Sequence, residues 1–169
     1  WVFLYYIVMT VLNHVPYEFY QPYIDLALAD QKLMGGSTTL ATGLHVAMVM
    51  CIAAWFAGRS IRWRNQVGLA PALISAAVLQ TVIIIVMGLV LHPLVIVLAL
   101  GRSVPRALMT APINAAVAPQ VSQEQRATFL SIQSLAGRVA FAGWLIVLSL
   151  MPTSIASDDW TGLSSRLLI

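Results

Sequence analysis

The stretch LAPALISAAVLQTVIIIVMGLVLHPLVIVLALG, residues 69–101, contains no Asp, Glu, Lys or Arg. As one continuous α-helix it would be roughly 50 Å long, whereas the hydrocarbon core of a bilayer is about 30 Å thick. Two layouts are open to it. Either a single helix ends at Gly101, with Arg102 and Arg106 as interfacial anchors, or the chain turns near His92 and Pro93. In the second case a further helix covers residues 93–118 and carries both arginines at depth. Loop charge decides between them. If Arg59, Arg62 and Arg64 are cytoplasmic, the first layout leaves Arg102, Arg106 and Arg126 outside, against the excess of basic residues in cytoplasmic loops. The second layout returns Arg126 to the cytoplasm and leaves only a Leu-His-Pro turn outside, so it is the expectation.

Composition places the whole chain in the same solvent. Of its 169 residues, 60% are hydrophobic and 9% are charged, where a soluble domain has about 45–50% and about 25%. Six acidic and nine basic side chains could not clothe a water-exposed globule of this size, so most of the chain is expected in lipid. The formal charge of +3 does not signal nucleic acid, because the basic residues are scattered and form no stripe to track a phosphate backbone. Cys51 is alone, which excludes an intrachain disulfide and a CxxC metal site. Trp1 opens the chain with no basic n-region or cleavage site behind it, so no signal peptide is expected and the chain reads as a fragment.

The remaining spans come from mostly apolar runs of about 20 residues. The first covers residues 1–24, with Pro16 and Pro22 removing backbone donors from its polar second half. A second covers residues 38–57, a third 69–91, a fourth 93–118 and a fifth 128–151. The next loop carries Asp158 and Asp159 and suits the outside, and residues 160–169 open another helix. The fold class is therefore all-α, a polytopic membrane helix bundle of five full transmembrane helices plus the start of a sixth.

Ionisable residues within such spans are costly, roughly 2.5–3.5 kcal/mol at the centre, and each is a functional hypothesis. His14 and Glu18 are spaced i, i+4, with Tyr17 and Gln21 beside them, making a polar stripe next to both prolines. It reads either as a substrate or proton site on a broken helix, or as an outer interface in which Tyr17, Tyr20 and Tyr23 form an aromatic belt. Arg102 and Arg106 share a face in the fourth span, where Pro105 and Pro112 interrupt the helix. The two arginines need a carboxylate, backbone carbonyls or an anionic ligand, and serve either substrate contact or helix packing. Ser131, Ser134 and Arg138 form a stripe in the fifth span, with Arg138 facing a central cavity or pairing with Glu18. His45 is the weakest candidate, more fitted to a hydrogen bond with a neighbour than to a relay.

The sequence holds no HExxH, GxSxG, Walker lysine motif or GxGxxG loop. An enzyme, a bound metal and a cofactor are accordingly not expected.

Three stretches carry a family resemblance. VPYEFYQPYI lies in the opening span, GRSIRWRNQVG covers residues 58–68, and PINAAVAPQVSQEQRATFLSIQSLAGR covers residues 112–138. In order and spacing they resemble the C-terminal six-helix half of a major facilitator superfamily (MFS) transporter. The second stretch corresponds to the basic cytoplasmic loop between helices eight and nine, and the third to the junction of helices ten and eleven. The loop departs from the family pattern in having no acidic residue between Gly58 and Gly68.

The resemblance implies a secondary active transporter of the cell (plasma or inner) membrane that moves a small solute by alternating access, with a second six-helix half as the other cavity wall. Substrate or cavity residues would be Tyr17, Gln21, Arg102, Arg106, Asn114 and Arg138, and His14 with Glu18 would couple protons. Its partners would be the solute, protons, the bilayer and the other half. The alternative is a non-transporting membrane subunit or receptor whose arginines only organise helices.

Overall fold

The computed structural model describes residues 1–30, 38–150 and 160–168, and among these every regular element is helical. The helices are α1 (Val2–Asp30), α2 (Thr38–Val67), α3 (Leu69–Leu89), α4 (Pro93–Leu98), α5 (Val104–Val117), α6 (Arg126–Leu150) and α7 (Trp160–Leu168). Four segments are long and apolar enough to cross a bilayer: Thr42–Val67, Leu69–Leu89, Pro93–Gln120 and Arg126–Leu150. The opening helix is not among them. At 29 residues it has the length, but Asn13, His14, Tyr17 and Glu18 make its second half too polar. The count of candidate spans is thus four rather than the five expected. The described residues of the expected sixth form only the nine-residue α7.

The boundaries have local causes. The chain leaves helix at Val90, in extended conformation, and re-enters at Pro93. Proline suits a first helical position because its missing N–H has no partner there. The His92 ring caps α4 by accepting from the Leu94 N–H at 3.1 Å. The helix expected over 93–118, with interruptions at Pro105 and Pro112, is broken next to the first of these, while Pro112 lies inside α5. After α4 comes a 3-10 turn (Ala99–Gly101), then Arg102 and Ser103 lie in a turn before α5 begins. Pro105 has no N–H to offer the Gly101 carbonyl four residues back, and its ring crowds that carbonyl, so the α-helical ladder fails there.

The arginines at 59, 62 and 64 are not in a loop. α2 runs through them to Val67 and stops at Gly68, whose φ of 92° is a conformation that costs other residues strain. Arg59 lies over the Trp55 ring at 3.7 Å and donates to the Trp55 carbonyl at 3.1 Å. Its charge is thereby held along the helix rather than ending it.

Packing centres on α1. One core cluster joins Val15, Tyr23 and Ala27 of α1 to Ile83, Ile84 and Met87 of α3 and Leu163 and Leu167 of α7. A second joins Met9 to Leu73, Ala76, Met109 and Ile113. Polar ties fix these contacts. The Tyr23 hydroxyl donates to the Val90 carbonyl at 2.5 Å and accepts from the His92 N–H at 3.2 Å, pinning the α3–α4 turn. Tyr5 donates to the Leu73 carbonyl at 2.7 Å, and Ser164 of α7 to the Gly88 carbonyl at 2.5 Å. On the other side of α1, Gly137 of α6 meets Thr10 so closely that a Cβ would fall 2.9 Å from its side chain. The outward faces are apolar. Ile74, Val78, Val82, Ile85 and Leu89 run as an exposed stripe along α3, as do Ile132, Leu135, Val139 and Ile146 along α6.

Pro16 explains the contact of the fully buried Gln80 side chain. Its missing N–H leaves the Leu12 carbonyl without a helical partner, and in a lipid setting that vacancy must be filled by protein. Gln80 of α3 fills it, donating from Nε2 at 3.0 Å. A double-mutant cycle checks this. Gln80→Ala in the natural background should lower the unfolding free energy in detergent by more than it does in a Pro16→Ala background, where residue 16 regains its own donor. The coupling expected is about 1 kcal/mol, and additive effects would show that the two positions are independent.

Candidate functional site

Midway along α1, Asn13, His14 and Tyr17 turn toward the break between α4 and α5. With Met50 of α2 and Arg102, Ser103 and Arg106 from the break and α5, they line a cavity of about 310 Å³. A neighbouring cavity of about 340 Å³ shares Asn13, His14 and Arg106 and is closed by Thr10 of α1 and by Ser134, Arg138 and Phe141 of α6. Among the described residues, no Asp or Glu lines either one. Volumes of this order suit small ligands.

Arg102 is the unusual group. It is 3% exposed, and its Nε and both terminal nitrogens lack hydrogen-bond partners among the described residues. Its guanidinium lies 4.0 Å over the Tyr20 ring, a cation–π contact worth about 2 kcal/mol when desolvated. That contact uses one face of the guanidinium and none of its five N–H donors. The His45 ring stacks on the same tyrosine, with centroids 6.1 Å apart and planes 16° from parallel, and its Nε2 is buried without a partner among the described residues.

His14 turns to its own helix. Its Nδ1 donates to the Thr10 carbonyl at 2.6 Å, and the ring lies 4.7 Å from Phe141 across the α1–α6 contact. Asn13 behaves similarly, donating to the Met9 carbonyl at 2.6 Å and leaving Oδ1 buried and unpaired among the described residues.

The residues expected from sequence divide. His14, Tyr17, Arg102, Arg106 and Arg138 are brought to the two cavities, Arg106 being common to both. Glu18 and Gln21 are exposed on α1 and line neither, and Asn114 is half-buried on α5 outside both. His14 and Glu18 share a helix face but are not hydrogen-bonded, because the Thr10 carbonyl takes the imidazole N–H. Arg138 faces the second cavity rather than pairing with Glu18 among the described residues. Thr10, Asn13, Met50, Ser103 and Phe141 join the lining without having been expected there. Asn13 has a signal in the sequence, as a polar neighbour of His14 within an apolar run, while Met50 and Phe141 carry no mark. Tyr20 reads from sequence only as part of an aromatic belt, and its role as the platform for Arg102 depends on the approach of the α4–α5 break to α1.

No family model, curated protein or solved structure matches this chain. The chemistry of the site therefore has to be read from its own residues. It offers a buried cation with free N–H donors, two further arginines and several neutral hydrogen-bonding groups, with no carboxylate among the described lining residues.

If Arg102 merely fixed helix packing, replacing it with an apolar residue of similar length would weaken the fold. A buried charge held for a ligand behaves oppositely, because removing it relieves desolvation. Arg102→Met is expected to raise the thermal midpoint of the purified protein by a few degrees in detergent. A clear fall would assign the arginine to structure.

Proposed function

We propose that this chain is part of a secondary active transporter of the MFS kind. It would move a small solute across the cell membrane by alternating access, with its cavity face closed by a second six-helix half. The observation that carries the reading is a polar, cation-lined space inside a helical bundle whose outer faces are apolar. A lipid-facing protein keeps such a space, at the energetic cost of a buried arginine without a hydrogen-bond partner among the described residues, where something polar has to enter. The three stretches that resemble the family add to this in order and spacing, and transporter sites commonly lie at interrupted helices near the midplane. The α4–α5 break with Arg102 at its turn fits that description.

In this reading His14, common to both cavities, handles the coupled proton, and Glu18 lies one turn along the same helix as the exchange point with water. Transport is tested by reconstituting the protein together with its second six-helix half in liposomes and following radiolabelled succinate, phosphate, glucose, choline and alanine under an imposed pH gradient. Accumulation of at least one solute above protein-free vesicles is expected. Folded protein that moves none of them would favour the subunit or receptor alternative. Glu18→Gln is expected to abolish gradient-driven accumulation while leaving solute exchange intact, and unchanged gradient dependence would remove Glu18 from the coupling.

A further inference from the structure

Arg102 needs partners that the described residues do not supply. A guanidinium out of water is tolerable only when its charge is matched and its donors are used. Tyr20 meets part of the charge through one face, but the edge, with all three nitrogens, has no hydrogen-bond partner among the described residues. That edge is the part of the side chain that matches a planar carboxylate or a phosphate in a two-pronged hydrogen bond. Arg106 lines the same cavity, and Asn13, Ser103 and Tyr17 add neutral polar groups around it. The second cavity adds Arg138 and shares Arg106. Three arginines lining two neighbouring cavities, with no acid among the described lining residues, set a positive potential in a medium that screens it poorly.

We infer that the cavity between α1 and the α4–α5 break is an oxyanion site. The edge of Arg102, positioned by Tyr20, and the exposed Arg106 hold a carboxylate or phosphate group between them. This rests on the transport reading only for the movement of the bound solute, since the site is defined by its charges and its shape. A cationic solute is disfavoured by the same arrangement, and a neutral one would leave Arg102 unmatched.

Binding is tested on the protein in phosphatidylcholine nanodiscs, by titrating succinate and inorganic phosphate and following heat and the thermal midpoint, with choline as control. Succinate or phosphate is expected to bind and stabilise saturably, and choline to do neither. Arg102→Gln is expected to weaken binding by about 10–100-fold, the loss typical of a charged hydrogen-bond pair. Arg106→Gln, at an exposed position where folding is not at stake, should weaken it by a similar order.

A parallel set of nanodiscs containing phosphatidylglycerol separates the sources of the anion. Arginine-dependent stabilisation by that lipid with none by free succinate or phosphate would keep the oxyanion site and assign it to a headgroup. Absence of any anion effect, or binding indifferent to Arg106→Gln, would overturn the site. If glucose or choline flux persisted unchanged in Arg106→Gln, transport would stand and this inference would fall. Anion binding without any flux would have the opposite meaning.

Discussion

The missing N–H of Pro16 governs how the centre of this bundle is assembled. In water the Leu12 carbonyl it abandons would be solvated at little cost. Between helices in lipid it must find a donor, and Gln80 supplies one across the α1–α3 contact. That single requirement sets the rotation and height of α3 against α1. It thereby places Ile83 and Met87 in the core cluster with Val15 and Tyr23, and sends Val82, Ile85 and Leu89 to the exposed face. The Tyr23 hydroxyl, bonding on both sides of the α3–α4 turn, holds the same register at the end of the crossing. With α3 and α4 fixed on α1, the break after α4 is delivered to the polar middle of α1.

Charge is distributed unequally around that meeting place. The acids whose exposure is described, Glu18, Asp25 and Glu124, are exposed, while arginine is drawn inward at the break. Such an arrangement is unfavourable for folding taken alone. At the break a local rule is broken by a buried charge without a partner among the described residues, and such a departure is often the mark of a site kept for binding.

Much of the helical plan is legible in the sequence because it depends on backbone chemistry. The turn before Pro93 can be read from a charge-free run too long for one crossing and a proline fit for a helix start. The interruption near Arg102 is legible in Pro105, which leaves the Gly101 carbonyl without its helical donor, whereas Pro112, an equal candidate to break the span, stays inside α5. The basic cluster after Gly58 reads as a loop if charge is equated with an end of structure, whereas helices end on geometry, and here only Gly68 provides it. In the site, periodicity assigns residues to a helix face correctly but not to a contact. His14 and Glu18 share a face, yet the imidazole is claimed by a backbone carbonyl. The pairing of Tyr20 with Arg102 joins residues far apart in the chain and has no local trace at all.

Gly68 has a mechanical consequence. It is the single non-helical residue between α2 and α3, so two long rods are joined with almost no slack. Each residue added to a helix turns everything beyond it by about 100° about the axis. Ordinary loops absorb such a phase error, and a one-residue joint does not. Length changes in the second half of α2 would therefore be felt as rotation of α3, carrying its inward and outward faces out of phase with the rest of the bundle. The segment from Thr38 to Leu89 is expected to vary in composition far more readily than in length.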